Sequence, residues 1–198
     1  MSAALTLILL AVLVIGVYVL CYNGLVAARQ KVDQGWSGIT VQLKRRHALV
    51  PNLVQSVRSA MDHESSILDR ILEARSTALA ALAGNDHADV AKAEAALSDA
   101  LGRFVGYTED NPEITANENV VLLQKQLEET EDQIAAARRL HNGNVEAYNT
   151  KVLSIPWTFI ARMNNYSTEP MFDVDPVEMK RIVADPSVGD LGLGPSKT

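Results

Sequence analysis

The chain has 198 residues, a formal net charge of −6 and only 5% aromatic side chains. An acidic balance argues against a broad nucleic-acid footprint, because such surfaces are usually basic. Cys21 is the single cysteine, which excludes a disulfide within the chain and any cysteine cluster for a metal.

The first element is apolar. Residues 1–28 carry no charged side chain, and "AALTLILLAVLVIGVYVLCY" (residues 3–22) is almost wholly hydrophobic. About 20 such residues, as a helix, match the hydrocarbon core of a bilayer. A cleaved signal peptide is the competing reading. It fits less well, because no basic residue opens the chain, the run exceeds the usual core of about 7–15 residues, and no small-x-small site comes after it. Tyr18 and Tyr22 suit the far interface. Arg29 and Lys31 follow the span whereas no cation precedes it, so the positive-inside rule places the C-terminal domain in the cytoplasm.

Helical patterns fill most of the remaining chain. Leu25, Val32, Trp36, Ile39, Leu43, Val50, Leu53, Val57 and Ala60 recur at three- and four-residue steps, which predicts one long helix. Only Asn23-Gly24 separates it from the span. Pro51 removes one hydrogen bond from this helix and crowds the preceding turn, with Asn52 at hand for the carbonyl it leaves. After a turn near residues 61–63, Ile67, Leu68, Ile71, Leu72, Ala78 and Leu79 mark a second helix. In "AGNDHAD", Gly84 suits a helix end and Asn85 or Asp86 a helix start. Val90, Ala93, Leu97, Leu101 and Phe104 mark a third helix, and "TEDNPEITAN" reads as a loop around Pro112. Thr115 and Glu118 have the form of a capping box.

The last helix is predicted to run to Pro156, with its stripe from Val120 through Ile134, His141, Val145, Tyr148 and Val152 to Ile155. The expected fold is all-α: an N-terminal transmembrane helix, then an antiparallel bundle of mainly four helices, two long and two shorter. Residues 173–198, rich in Pro, Gly and Asp, read as a loosely ordered tail.

Little in the sequence suggests catalysis. The four histidines form no pair at ligand spacing, "HESSI" lacks the second histidine of a zincin motif, and the glycines of "GDLGLG" have no strand–turn–helix context. No catalytic, cofactor or metal residue is expected, and the chain is not expected to be an enzyme.

Polar residues on the stripes stand out instead. Arg46 falls between Leu43 and Val50, where the pattern calls for an apolar residue. Thr130, His141 and Asn144 interrupt the last helix, with Arg138, Arg139, Asn142, Tyr148 and Asn149 close by. Pairing Leu25 with Ile155 at the membrane end brings Arg46 within about one turn of Glu131, because both helices rise equally per residue. The expected polar layer is Arg46, Asn52, Glu131, Arg138, Arg139, His141, Asn142, Tyr148 and Asn149. It reads either as internal layers that set register or as a ligand site between helices. Trp157, Phe159, Ile160 and Met163, just past Pro156, would return to the membrane surface or cap the base of the bundle.

"LKRRHALVPNLVQSV", the "HE" after it and "ITANENVVLLQKQLEETEDQIAAARRLHNGNVEAYNTKVLSIP" resemble the LemA family of bacterial membrane-anchored helical proteins. The departures are His141, where the family commonly has an aromatic residue, and Asn111, where it usually has Tyr before Pro112. The resemblance implies a membrane anchor (1–24), a helical bundle (25–172) and the tail (173–198). It implies no reaction. A membrane-organising scaffold or adaptor is expected, with the membrane, a second copy of the chain and other membrane proteins as partners, a membrane metalloprotease among them. The alternative is a sensing module that binds a small anion in its polar layer. No cofactor and no nucleic acid are expected, and the location is the cell membrane, single-pass, with the bundle in the cytoplasm.

Overall fold

The computed structural model describes residues 3–58, 61, 65–84 and 86–172. The chain is all-α, as its periodicity predicts, with no strand among the described residues. The first helix, α1 (Ala3–Val57), runs unbroken for 55 residues from the apolar stretch into the bundle. Gly24 does not end it. A Cβ there would lie 3.2 Å from Trp157 Nε1, so the glycine leaves room for that indole.

Two helices of intermediate length, α2 (Ser65–Gly84) and α3 (His87–Glu109), pack on each other as a hairpin. Asp86 caps α3 by accepting the amides of Ala88 and Asp89 at 2.8 and 3.3 Å, which satisfies donors that the first turn leaves open. The expected loop around Pro112 contains a single helical turn, α4 (Pro112–Thr115). Proline suits a first helical position because its φ is already helical and its missing N–H is not needed there. That turn delays the long helix α5 (Glu118–Leu153), whose cap is Asn117, two positions past the expected one. A short helix, α6 (Trp157–Met163), comes next, a turn at Asn164 and Asn165 reverses the chain, and residues 166–172 return along α5 as a strap.

α1 and α5 lie antiparallel along their whole shared length. Lys151 meets Gly24 at one end and Asn117 meets Ser56 at the other. Ile155 lies past the end of α5 and is 74% exposed, so it does not pair with Leu25. The crossing is close at Gly35, where a Cβ would lie 2.9 Å from the Cα of His141.

Apolar burial falls into three groups. At the membrane end Cys21, Leu25, Val32, Val145 and Tyr148 pack with Ile160 of α6. In the middle Ile39, Leu43, Val90 and Ile134 pack with Phe172 of the strap. At the distal end Val50, Leu53 and Val57 meet α2 and α3 through Ile71, Leu97 and Phe104. Among the described residues a groove of about 1230 Å³ runs along one side of the bundle between α3, which packs on α2, and α5.

Candidate functional site

The floor of that groove is charged. Arg46, with a side chain only 5% exposed, has Glu94 of α3 at 3.5 Å on Nη1 and Glu131 of α5 at 3.2 Å on Nη2. Nη2 also donates to Ser98 Oγ at 2.7 Å. Glu94 Oε1 in turn lies 2.6 Å from His47 Nε2, and Glu131 Oε1 lies 3.7 Å from Arg138 Nη2. The result is an alternating row, His47, Glu94, Arg46, Glu131 and Arg138, that links three helices. A guanidinium suits such a position because its rigid fork can serve two carboxylates at once. Glu94 is as buried as Arg46, whereas the side chain of Glu131 is 46% exposed. Arg46 therefore depends chiefly on Glu94 and Ser98. The sequence did carry a signal for Glu94, which sits four residues after Val90 and three before Leu97 on the apolar face of α3.

The proline in this stretch is answered by a residue of α2. Pro51 has no N–H for the carbonyl of His47 four residues earlier, and Arg75 Nε donates to that carbonyl at 2.7 Å. Asn52 does not take this role: it is exposed and stands outside the polar layer. Arg139 is exposed as well, because it is one position round the helix from the buried Arg138. The other layer residues divide into two sets: Arg46, Glu131 and Arg138 join the ion row, and His141, Asn142, Tyr148 and Asn149 face α1 and the strap.

The strap is held by its backbone. Asn149 Nδ2 donates to the carbonyl of Glu169 and Oδ1 accepts its amide, both at 2.8 Å. Asn142 does the same for Phe172, at 3.0 and 2.9 Å. Tyr148 Oη donates to the Ser167 carbonyl at 2.8 Å. Two helical turns separate the asparagines, a rise of about 10 Å, and three extended residues cover about the same distance. That match is what lets one helix face clamp an extended chain twice. Glu169 also pairs with Arg29 of α1, and the Phe172 ring packs edge-on to Trp36, centroids 5.1 Å apart.

Trp36 also stacks against His87, ring centroids 3.7 Å apart, and its centroid lies 5.9 Å from that of His141. His141 is fully buried, and its Nδ1–H donates to the Val32 carbonyl at 3.2 Å. That tautomer leaves Nε2 without a hydrogen at a buried position that has no hydrogen-bond partner among the described residues. Burial pushes both imidazoles below their ordinary pKa, with each other's proximity adding to the effect at His141.

The membrane end is two-faced. Ile160 is buried against α1 and so does not face lipid, Trp157 is half-buried beside Gly24, and Phe159 and Met163 are 62% and 73% exposed. Asn164 reaches Tyr18 Oη at 3.4 Å and Tyr166 packs edge-on to Tyr22, so α6 lies level with the end of the apolar run. Within α1 an apolar window has mean hydropathy 2.9 and is only 6% buried. A core helix of a soluble bundle would be covered, so this exposed face suits lipid.

Among the described residues no group of three His, Cys, Asp or Glu side chains is placed to hold a metal ion. Both arginines of the row face carboxylates, while Arg46 Nη1 and Arg138 Nε are buried with no hydrogen-bond partner among the described residues.

The family model described as LemA family matches residues 35–188. The chain is 22% identical to the magnetosome proteins MamQ 1 and MamQ 2 of Paramagnetospirillum magneticum and 23% identical to magnetosome protein MamQ of Magnetospirillum gryphiswaldense. Each match covers 78% of this chain and 65% of the relative, so the chain spans less than two thirds of their length.

Proposed function

Because the chain belongs to the LemA family, we propose that it is a membrane-anchored helical scaffold or adaptor that acts through protein contacts, self-association included, and not through catalysis. The observation that carries this reading is the continuity of α1. One 55-residue helix is both the exposed apolar run and the spine of the bundle. Residues 23–57 of a continuous helix extend about 50 Å, so the distal surfaces stand at a set height above the membrane. α5 stiffens the spine through hydrogen bonds spread along its length. The magnetosome proteins to which the chain is similar support a membrane setting. The titratable groups of the buried row pair with one another, an arrangement that serves rigidity better than proton transfer.

The proposed orientation has the bundle in the cytoplasm, and Arg29 and Lys31 beside the span support it. Phe159 and Met163 give α6 a second, peripheral hold on the same leaflet.

The test is site-specific photocrosslinking in intact membranes, with probes at Leu122 and Leu140, both exposed on α5. A scaffold gives discrete adducts, to a second copy or to a few proteins, that differ between the two positions. Identical smears at both, or none, would overturn the reading. Protease added to spheroplasts should leave the bundle intact, and digestion without lysis would reverse the orientation.

A further inference from the structure

The α1–α5 pair carries the strap, α2 and α3 on one side. On the opposite side Asn144 and Lys151 of α5 reach the carbonyls of Lys31 and Gly24. The series that continue from these contacts run the length of that face. On α1 they are Ala27, Lys31, Gln34, Gly38, Arg45 and Asn52, and on α5 Leu122, Glu129, Ala136, Leu140 and Ala147, at three-, four- and seven-residue steps. Seven residues are close to two helical turns, so each series keeps to one side of its helix. Every one of these residues is exposed, so no described element covers the face. Leu122 and Leu140 are 54% and 65% exposed upon it.

The face is large and self-complementary. From Ala27 to Asn52 a helix rises about 40 Å, and two helices side by side are about 20 Å wide, which gives about 800 Å², the share of one partner in a standard interface. Lys151 on Gly24, Asn144 on Lys31 and Asn117 on Ser56 match residues whose numbers add to about 175. By that rule Arg45 and Glu129 stand at one height, on neighbouring helices. Both are exposed, and neither side chain has an ion pair among the described residues.

We propose that this face binds the same face of a second copy of the chain, in a parallel dimer whose two-fold axis lies along the membrane normal. The proposal rests on the scaffold reading and names its self-contact. Both copies are anchored by the same end of α1, so their heights match. A two-fold axis along the normal lays α1 of one copy over α5 of the other, and each contact occurs twice. Arg45 of each copy meets Glu129 of the other, Leu140 packs beside Gly38, and Leu122 packs beside Asn52. Ala27, Ala136 and Ala147 keep the surface low enough for the helices to approach.

Charge exchange in the full chain tests this, with the dimer dissociation constant read by sedimentation equilibrium in detergent. Arg45→Glu alone and Glu129→Arg alone should each weaken association at least tenfold, and the two together should return it to within threefold of the parent. Unchanged single variants, or a double variant as weak as the singles, would overturn the proposal. Disulfide trapping in intact membranes is the second measurement. Cys21 is the only native cysteine, so the background is Cys21→Ser, with two differently tagged chains. Arg45→Cys in one and Glu129→Cys in the other should join at least tenfold faster than Arg45→Cys with Glu73→Cys, which is exposed on α2. Equal rates would sink the idea. A chain that stays monomeric yet gives discrete adducts to other proteins at Leu122 and Leu140 overturns the dimer and keeps the scaffold reading; a monomer with no adducts overturns both.

Discussion

At the membrane end α1 and α5 are joined by side chains that bond to the opposite backbone. Lys151 reaches the carbonyl of Gly24 at 3.1 Å, Asn144 that of Lys31 at 2.9 Å, and His141 that of Val32 at 3.2 Å. At the distal end the same two helices, joined by α2 and α3, share a continuous apolar core, and their charged side chains pair with each other. Helix number explains the difference. With only α6 and a strap for company, the membrane end can bury little apolar surface, and burial is non-directional in any case. Directional bonds to carbonyls set the register there. The distal end has enough surface for apolar packing to hold it together, and a buried charge is tolerated because opposite charges surround it.

The comparison breaks most visibly at Arg46. Arg46→Ala should cost about 3–5 kcal/mol, because Glu94 is left buried beside a lost cation. Glu131→Ala should cost under about 1 kcal/mol, since a half-exposed partner contributes little. Denaturant melts of both single mutants, with Glu94→Ala and the doubles, would measure the two couplings. If Arg46 couples to Glu131 more strongly than to Glu94, the row is wrongly weighted.

At the membrane end the close crossing should be nearly as sensitive. Gly35→Ala places a methyl group 2.9 Å from the His141 backbone and should cost about 2 kcal/mol through overpacking. Gly38→Ala, on the same helix with nothing within 4 Å, should instead stabilise by about 0.5–1 kcal/mol. Thermal melts that moved both in the same direction would show that the helices do not approach at Gly35.

The strap offers a finer probe. Asn149→Ala or Asn142→Ala strips two backbone bonds from one residue and should cost about 1–2 kcal/mol each. Amide exchange should accelerate at Glu169 for the first and Phe172 for the second, while the distal core stays protected. Uniform acceleration would mean that the clamps act on the whole fold.

The smallest effect is acid sensitivity. His87 and His141 have folded pKa values below the ordinary 6.5, so the unfolded chain binds protons more readily. Their contribution is whole above about pH 6.5 and shrinks as pH falls below it. Around His87 stand Asp86, Glu169 and Arg29, and around His141 stand Asp33, Glu169 and His87. His141→Gln should flatten the decline between pH 7 and pH 5. An unchanged slope would remove His141 from the explanation.

Local chemistry made much of this legible from the sequence: the apolar run, the helical stripes, the Asp86 cap and the odd placement of Arg46 on an apolar face. Each depends on residues a turn or two apart, where spacing alone puts side chains together. The Arg46 and Glu131 positions could also be brought near each other by counting, because helical rise is constant. Counting could not rank Glu94 above Glu131, since that depends on which carboxylate the packing of α3 seals from water. Nor could it find Arg75 serving the carbonyl freed by Pro51, where Asn52 was the nearer candidate and points outward. The clamped strap was least legible of all. Its bonds run to backbone amides and carbonyls that every residue carries, so the sequence of residues 164–172 leaves no mark of them. Secondary structure came from periodicity; the choice of partners waited for tertiary contact, because burial is a property of the assembled helices and not of any one of them.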